Sequence, residues 1–351
     1  MHKESGMPHL FSSFTMRGLA LRNRIMMSPM AMYSAGEDGA ATDWHLAHYG
    51  ARAVGGVGLI VCEATAVEPR GRITTRDLGL WDDGQVEPLA RIVRFCHEHG
   101  AAVGPQLAHA GRKAFSDHKG VGPQAPVGPS AVAYDEGWVL PQTLSAGEID
   151  AIVAAFGAAA QRAAAAGCDA VEIHAAHGYL LHQFLSPLAN RRDDEYGGTP
   201  QNRARLLLRV AATVREAWPG EKPILVRLSA TDWTEGGLTV DDTVEVARLL
   251  QAQGVDAVDC SSGGLLPLPP PKIGPGYQVP FAEQVRRDAA VPTVAVGLIS
   301  TPEQAEEIIL NERADLVALG RELLRDPYWP LHAARRLRHE AAWPWQYERA
   351  K

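Results

Sequence analysis

The feature that most restricts the fold is a set of eight short runs that are apolar at almost every position. They fall at 24–28, 57–62, 102–107, 170–174, 224–228, 257–260, 293–296 and 316–319. A strand with one wet face alternates apolar and polar residues, whereas a strand covered on both faces reads as a continuous apolar run. Helical patterns lie between them, at 44–54, 86–99, 145–166, 202–218, 239–253 and 302–311. Thr42 and Asp43 precede the first helix, Ser145 and Glu148 have capping-box spacing, and Thr301 precedes Pro302. Gly100, Gly167 and Gly254 follow helix ends. The phrases "AGCDAVEI", "QGVDAVDC" and "ERADLVAL" each join a helix end, a short turn with an Asp and a buried strand. Eight such units predict an α/β fold, a closed (β/α)₈ TIM barrel. An open doubly wound sheet would carry a glycine-rich fingerprint after its first strand, and none follows residue 28.

By length alone, 351 residues would suggest two or three domains. The strand count instead predicts one barrel domain over 1–351 with two additions. Residues 113–143, rich in Gly and Pro, follow the third strand and are too long for a simple turn. They are read as a lid over the C-terminal mouth, where barrels carry their chemistry. Residues 330–351 are basic and aromatic, and are read as a C-terminal extension at an oligomer interface.

Several functional classes are disfavoured. The net charge is 34 − 41 = −7 with no basic block, which argues against nucleic-acid binding. The most apolar stretch, 149–167, is Ala-rich and contains Gln161 and Arg162, so it reads as a packed helix and not a membrane span. Residues 1–14 lack a continuous apolar segment, and no signal peptide is expected. Cys62, Cys96, Cys168 and Cys260 are far apart and form no CxxC pair. That pattern fits a reduced, cytoplasmic protein without a zinc or iron–sulfur site.

Closing eight strands brings their C-terminal ends to one mouth, so the polar residues there are the candidate site. The densest group is His174 and His177 with Tyr179. Two imidazoles and a phenol can hydrogen-bond a carbonyl oxygen and supply a proton. The same His pair would also suit a metal-dependent barrel lyase or isomerase, although carboxylates for a third ligand are sparse at the strand ends. Gly297, Gly320 and Arg321 end strands seven and eight, where barrels commonly bind phosphate. Arg227 ends an apolar strand and needs an anion, and Gln106 offers both donor and acceptor to a flat heterocycle.

These residues, in this order, resemble the Old Yellow Enzyme family of FMN-dependent ene-reductases. The motifs are "NRIMMSPMAMYS", "VEPRGRIT", "QLAHAGRKA", "VEIHAAHGYLLHQFLSPLANRRDDEYGG", "VRLS", "AVGLI" and "ALGRELLRDPYWP", and they span nearly the whole chain. The pattern is most similar to the thermophilic-like bacterial class. The resemblance implies noncovalent FMN, NADPH or NADH as hydride donor, and a small-molecule substrate. It implies ping-pong reduction of activated C=C bonds in α,β-unsaturated aldehydes, ketones, imides or nitroalkenes. His174 and His177 then hold the substrate oxygen and Tyr179 donates the proton. Ser28, Pro29, Met30, Ala31, Ala64, Gln106, His174, Arg227, Gly263, Gly297, Gly320 and Arg321 fall to the cofactor. Tyr33 and Lys113 fall near the substrate. Arg349 resembles an arginine that reaches a neighbouring subunit's active site, which implies a homo-oligomer, dimer or tetramer.

One position departs from that class: where a cysteine beside the flavin is typical, this chain has Ala31. Ala31→Cys is therefore predicted to shift the flavin potential and substrate affinity while preserving activity. Potentiometry and steady-state kinetics check this, and unchanged values in both would contradict it.

Overall fold

Each barrel strand of this molecule is covered on both faces, and the architecture shows why. The computed structural model describes residues 9–114 and 125–351. Eight parallel strands, β1 (Ile25–Met27), β2 (Leu59–Ala66), β3 (Ala102–Ala108), β4 (Val171–Ala175), β5 (Ile224–Ser229), β6 (Ala257–Ser261), β7 (Thr293–Val296) and β8 (Leu316–Leu319), pair in chain order. Pairing of β8 with β1 closes the barrel. All eight expected strands are present, and β2 extends four residues beyond the apolar run that announced it.

Outward side chains such as Ile60, Val103, Ile173, Val226, Val258 and Val317 pack beneath the surrounding helices. Inward side chains in the lower barrel, including Met26, Leu59, Ala170, Leu225, Val294 and Leu316, form a second apolar cluster. A hairpin of Phe14–Met16 and Leu19–Leu21 adds Met16 and Leu21 to that cluster and stops the N-terminal end. The approach of β3 to β4 needs glycine at 104, because a Cβ there would lie 1.9 Å from the Ala170 carbonyl oxygen. Higher in the barrel the inward positions turn polar: Gln106, Glu172, Arg227 and Asp259 are all buried.

The helices are α1 (Asp43–Val54), α2 (Val86–Glu98), α3 (Ala146–Ala165), α4 (Leu180–Leu185), α5 (Pro200–Ala217), α6 (Val240–Ala252), α7 (Val279–Ala289), α8 (Pro302–Leu310), α9 (Arg321–Arg325) and α10 (Trp329–Arg336). The expected caps are present: Ser145 and Glu148 form a capping box, and Thr301 accepts from Gln304 N–H. Helix α7 has no sequence signal of that kind. It follows a proline-rich loop, and its N-cap Gln278 makes no side-chain cap bond. Cys62, Cys96, Cys168 and Cys260 are all buried. Among the described residues no helix is long and apolar enough to cross a membrane.

Two irregularities shape the mouth. A register shift in β2 between Cys62 and Ala64 is a bulge that turns Glu63 out toward α1 and sets Ala64 opposite Gln106. Glu63 then accepts from Met32 N–H at 2.7 Å and lies 3.2 Å from His45 Nε2, so it anchors the loop after β1. Of the expected lid, residues 115–124 lie outside the described residues. Its remainder carries a two-stranded parallel pair, Val127–Gly128 with Gln142–Thr143. Arg112 ties this segment down by donating to the carbonyls of Val132, Ala133 and Leu265.

Candidate active site

The expected catalytic group is assembled by one strand end and one tight turn. His174 sits on β4 in register with Arg227 of β5. His177 and Gly178 then take φ of 58° and 73°, both left-handed, and the chain reverses into α4. The turn sets the His177 ring 5.2 Å and the Tyr179 ring 4.9 Å from the His174 ring, centroid to centroid. A Cβ at Gly178 would lie 2.2 Å from the Gly264 carbonyl oxygen, so glycine is required by space as well as by φ.

Hydrogen bonds fix this turn from below. Gly178 N–H donates to His182 Nδ1 at 2.8 Å, and His182 Nε2 lies 2.9 Å from Asp232 Oδ1. A backbone N–H can only donate, so Nδ1 is the acceptor and Nε2–H faces Asp232. Asp232 also accepts from Ser186 Oγ at 2.7 Å and from Leu238 N–H at 2.8 Å. Burial pushes the Asp232 carboxyl up, but His182 and these donors outweigh it and hold it below the usual range. His177 N–H donates to Ser229 Oγ, which donates to the Gly263 carbonyl. Lys113 donates to the carbonyls of His177 and Gly264, and its ammonium lies 5.0 Å from the Tyr179 ring centroid.

The protonation states suit donors. Burial first, then Arg227, hold both His174 and His177 well below the ordinary histidine range. They are neutral near pH 7. Ala176 N–H points at His174 Nδ1 at 3.4 Å, which leaves the ring proton on Nε2. Burial also raises the Tyr179 phenol, with Tyr33, Asp77 and Tyr134 adding to the effect, so its proton is retained.

Beside this group lies a cavity of about 520 Å³. Ser28, Pro29, Met30, His177, Arg227, Gly297, Gly320 and Arg321 line it as expected. Gln106 and His174 are buried in the barrel next to Arg227's level. Tyr33 and Tyr179 pack together on Ile73, Ala110 and Ala114. Ala64 lines a small void beside Tyr179, and Ala31 is half-buried in the loop after β1. Gly263 is a turn residue, its carbonyl bonded to Ser229 and its N–H to the Thr231 carbonyl. Arg349 is exposed on the terminal turn Trp345–Ala350 and does not line this chain's cavity. The reading of strand ends missed Tyr277, Gln278 and Ser300, which share the wall. Gln278 accepts from Ser262 Oγ at 2.6 Å and donates to the Val296 carbonyl, bridging β6 and β7. Its only sequence signal was a polar residue closing a proline-rich loop.

Residues 9–340 match the model of the NADH:flavin oxidoreductase / NADH oxidase family. The chain belongs to this family. It is 53% identical over 341 residues to an NADPH dehydrogenase of Geobacillus thermodenitrificans, covering 97% of this chain and 98% of that protein. Among solved structures, morphinone reductase superposes with a TM-score of 0.82 at 30% identity, covering 96% of this chain and 92% of that one. An Old Yellow Enzyme homologue from Zymomonas mobilis gives 0.80 at 28% identity, covering 94% and 93%. The Old Yellow Enzyme resemblance therefore holds, and this family member is a flavin oxidoreductase that uses FMN and a reduced nicotinamide. Its residues fit FMN: Gly297 leaves a cradle in which a Cβ would meet Gln278 Nε2 at 3.0 Å, Arg321 stands on the same wall, and the Arg227 guanidinium borders the same cavity. The metal-ligand reading of the His pair finds no third ligand, since no group of three His, Cys, Asp or Glu converges for a metal among the described residues.

The neutral His174 has a consequence for stability. Unfolded, it binds a proton near pH 6.5, whereas folded it does so only at much lower pH. The unfolded state thus binds more protons below about pH 6.5, and stability falls as pH falls, by about 1.4 kcal/mol per pH unit for one such group. Urea unfolding from pH 6.5 to 5 is predicted to show a shallower loss in His174→Gln than in the native protein; parallel curves would contradict it.

Proposed function

We propose that this enzyme reduces the C=C bond of α,β-unsaturated aldehydes, ketones, imides or nitroalkenes. The observation that carries the reading is the contact of three proton-bearing rings, His174, His177 and Tyr179, beside the cavity edged by Arg227. FMN, when bound, supplies a hydride carrier between the reduced nicotinamide and the substrate's β-carbon. His174 and His177, as neutral imidazoles, donate hydrogen bonds to the activating oxygen and stabilise the charge that develops on it. Tyr179 holds its proton until the α-carbon takes it, giving net trans addition. With FMN bound, Arg227 would set a fixed positive charge against its electron-rich edge, and Gln106 would meet its pyrimidine edge. Gly297, Gly320 and Arg321 receive the phosphate.

Lys113 stiffens the turn that carries His177, and Tyr33 shares its apolar support with Tyr179. Both border the substrate position in this reading. The residues 113–143 act as a lid, and residues 330–351 as an oligomer contact that delivers Arg349 to a neighbouring copy's site in the cytoplasmic homo-oligomer.

The test is NADPH oxidation stimulated by 2-cyclohexenone, resolved into half-reactions by stopped flow. Tyr179→Phe is expected to slow flavin reoxidation by enone by roughly 100-fold or more, the scale of general acid catalysis, and to leave flavin reduction nearly unchanged. Equal losses in both halves would remove Tyr179 as the proton donor, and no enone-stimulated turnover would overturn the proposed substrate class.

A further inference from the structure

The mechanism leaves two buried carboxylates unused. Glu172 on β4 and Asp259 on β6 point into the barrel and are 1% and 0% exposed. Layers in an eight-stranded barrel are filled by alternate strands, so β4 and β6 contribute to one level. Arg227, on β5 between them, has its Nε 3.1 Å from Asp259 Oδ2. Gln106 Nε2 donates to Glu172 Oε1 at 2.7 Å. Glu172 Oε2 and both oxygens of Asp259 accept no hydrogen bond among the described residues. Two ionised carboxylates against one guanidinium would leave a net negative charge in a dry interior, and an uncompensated buried charge is costly. One bound proton makes the cluster neutral.

We propose that Glu172 and Asp259 hold a single proton between them, and that this pair positions Gln106 and Arg227 toward the flavin. The proposal rests on the reading that those two side chains meet the cofactor. The geometry separates the tasks. Glu172 Oε1 receives the Gln106 amide N–H, so the amide oxygen of Gln106 is turned the other way. The proton resides on Glu172 Oε2 or on Asp259, away from that bond. Asp259 faces the guanidinium of Arg227 in register across β5 and β6. The other groups acting on this level are Gln106 from β3, Arg227 from β5, and His174 above Glu172 on β4 itself. His174 stays neutral.

Burial, and then the charge of Asp259, push the Glu172 carboxyl up to about 8, against the opposing pull of Arg227 and Gln106. Negative charge gained by the cofactor on reduction adds to the repulsion and raises the pair's hold on its proton. Between the pH at which the oxidised enzyme releases that proton and the higher pH at which the reduced enzyme does, reduction therefore takes up one more proton per electron pair than it does below.

Glu172→Gln and Asp259→Asn preserve shape and remove one carboxylate each. Infrared spectra of the native FMN-loaded enzyme at pH 7 are expected to show a protonated-carboxyl band that both variants lack, because the remaining carboxylate ionises against Arg227. Spectroelectrochemical titration is expected to show the flavin potential of the native enzyme steepening by one proton per electron pair above about pH 8, with no steepening in either variant. Absence of the native band, its persistence in both variants, or one pH slope shared by all three proteins would overturn the proton pair. The native spectrum decides the first point without any variant. Gln106→Ala serves as the separate control on the cofactor reading: unchanged FMN affinity and potential in that variant would overturn the placement of Gln106, while the infrared result stands apart from it.

Discussion

Closure of eight parallel strands is the constraint on which the rest of this molecule depends. It forces alternate side chains of every strand into an interior too narrow for bulk solvent. In the lower layers that interior is apolar and is stoppered by Met16 and Leu21 of the terminal hairpin. In the upper layer it holds Gln106, Glu172, Arg227 and Asp259, none more than 6% exposed. Polar groups in such a place persist only when they bond or balance one another. The same packing that makes them costly also makes them rigid, and rigid donors and charges are what a mouth carrying hydride and proton chemistry requires.

Above that layer the short turn from His177 to Tyr179 converts barrel geometry into chemical geometry. His177, a non-glycine residue in the left-handed region, is strained unless its surroundings hold it, whereas Gly178 takes that conformation freely. Here Gly178 N–H is taken by His182, His182 by Asp232, and the backbone of Gly264 closes the space behind. A buried hydrogen bond to a charged carboxylate, as between His182 and Asp232, contributes about 1.5–3 kcal/mol. Asp232 and His182 thus hold two proton-bearing rings in place without touching the cavity themselves.

Much of this was legible in the chain, for physical reasons. Strands dry on both faces must be apolar throughout, so their positions could be read within a few residues, and closure then fixed which residues share the mouth. His174, His177, Tyr179, Arg227, Gly297 and Arg321 were found that way. What stayed hidden depends on contacts that cross strands. The bulge at Glu63 carries no local signal, because it arises from a mismatch with β3 and from partners on α1. Helix α7 begins without a capping side chain, and with it Tyr277 and Gln278 went unread. Arg227 announced its need for an anion, but its nearest one, Asp259, lies on the next strand and reads in sequence as part of an apolar run.

The central claim is that hydride and proton reach the substrate from opposite faces, one by way of the cofactor and one from Tyr179. Isotope placement in the product tests it most directly. Reduction of a β-substituted cyclic enone with deuterated nicotinamide in ordinary water, and with unlabelled nicotinamide in deuterated water, resolves the two hydrogens by NMR. Delivery from opposite faces predicts donor label at the β-carbon and solvent label at the α-carbon, on opposite faces. Both labels on one face, or solvent label at the β-carbon, would contradict it.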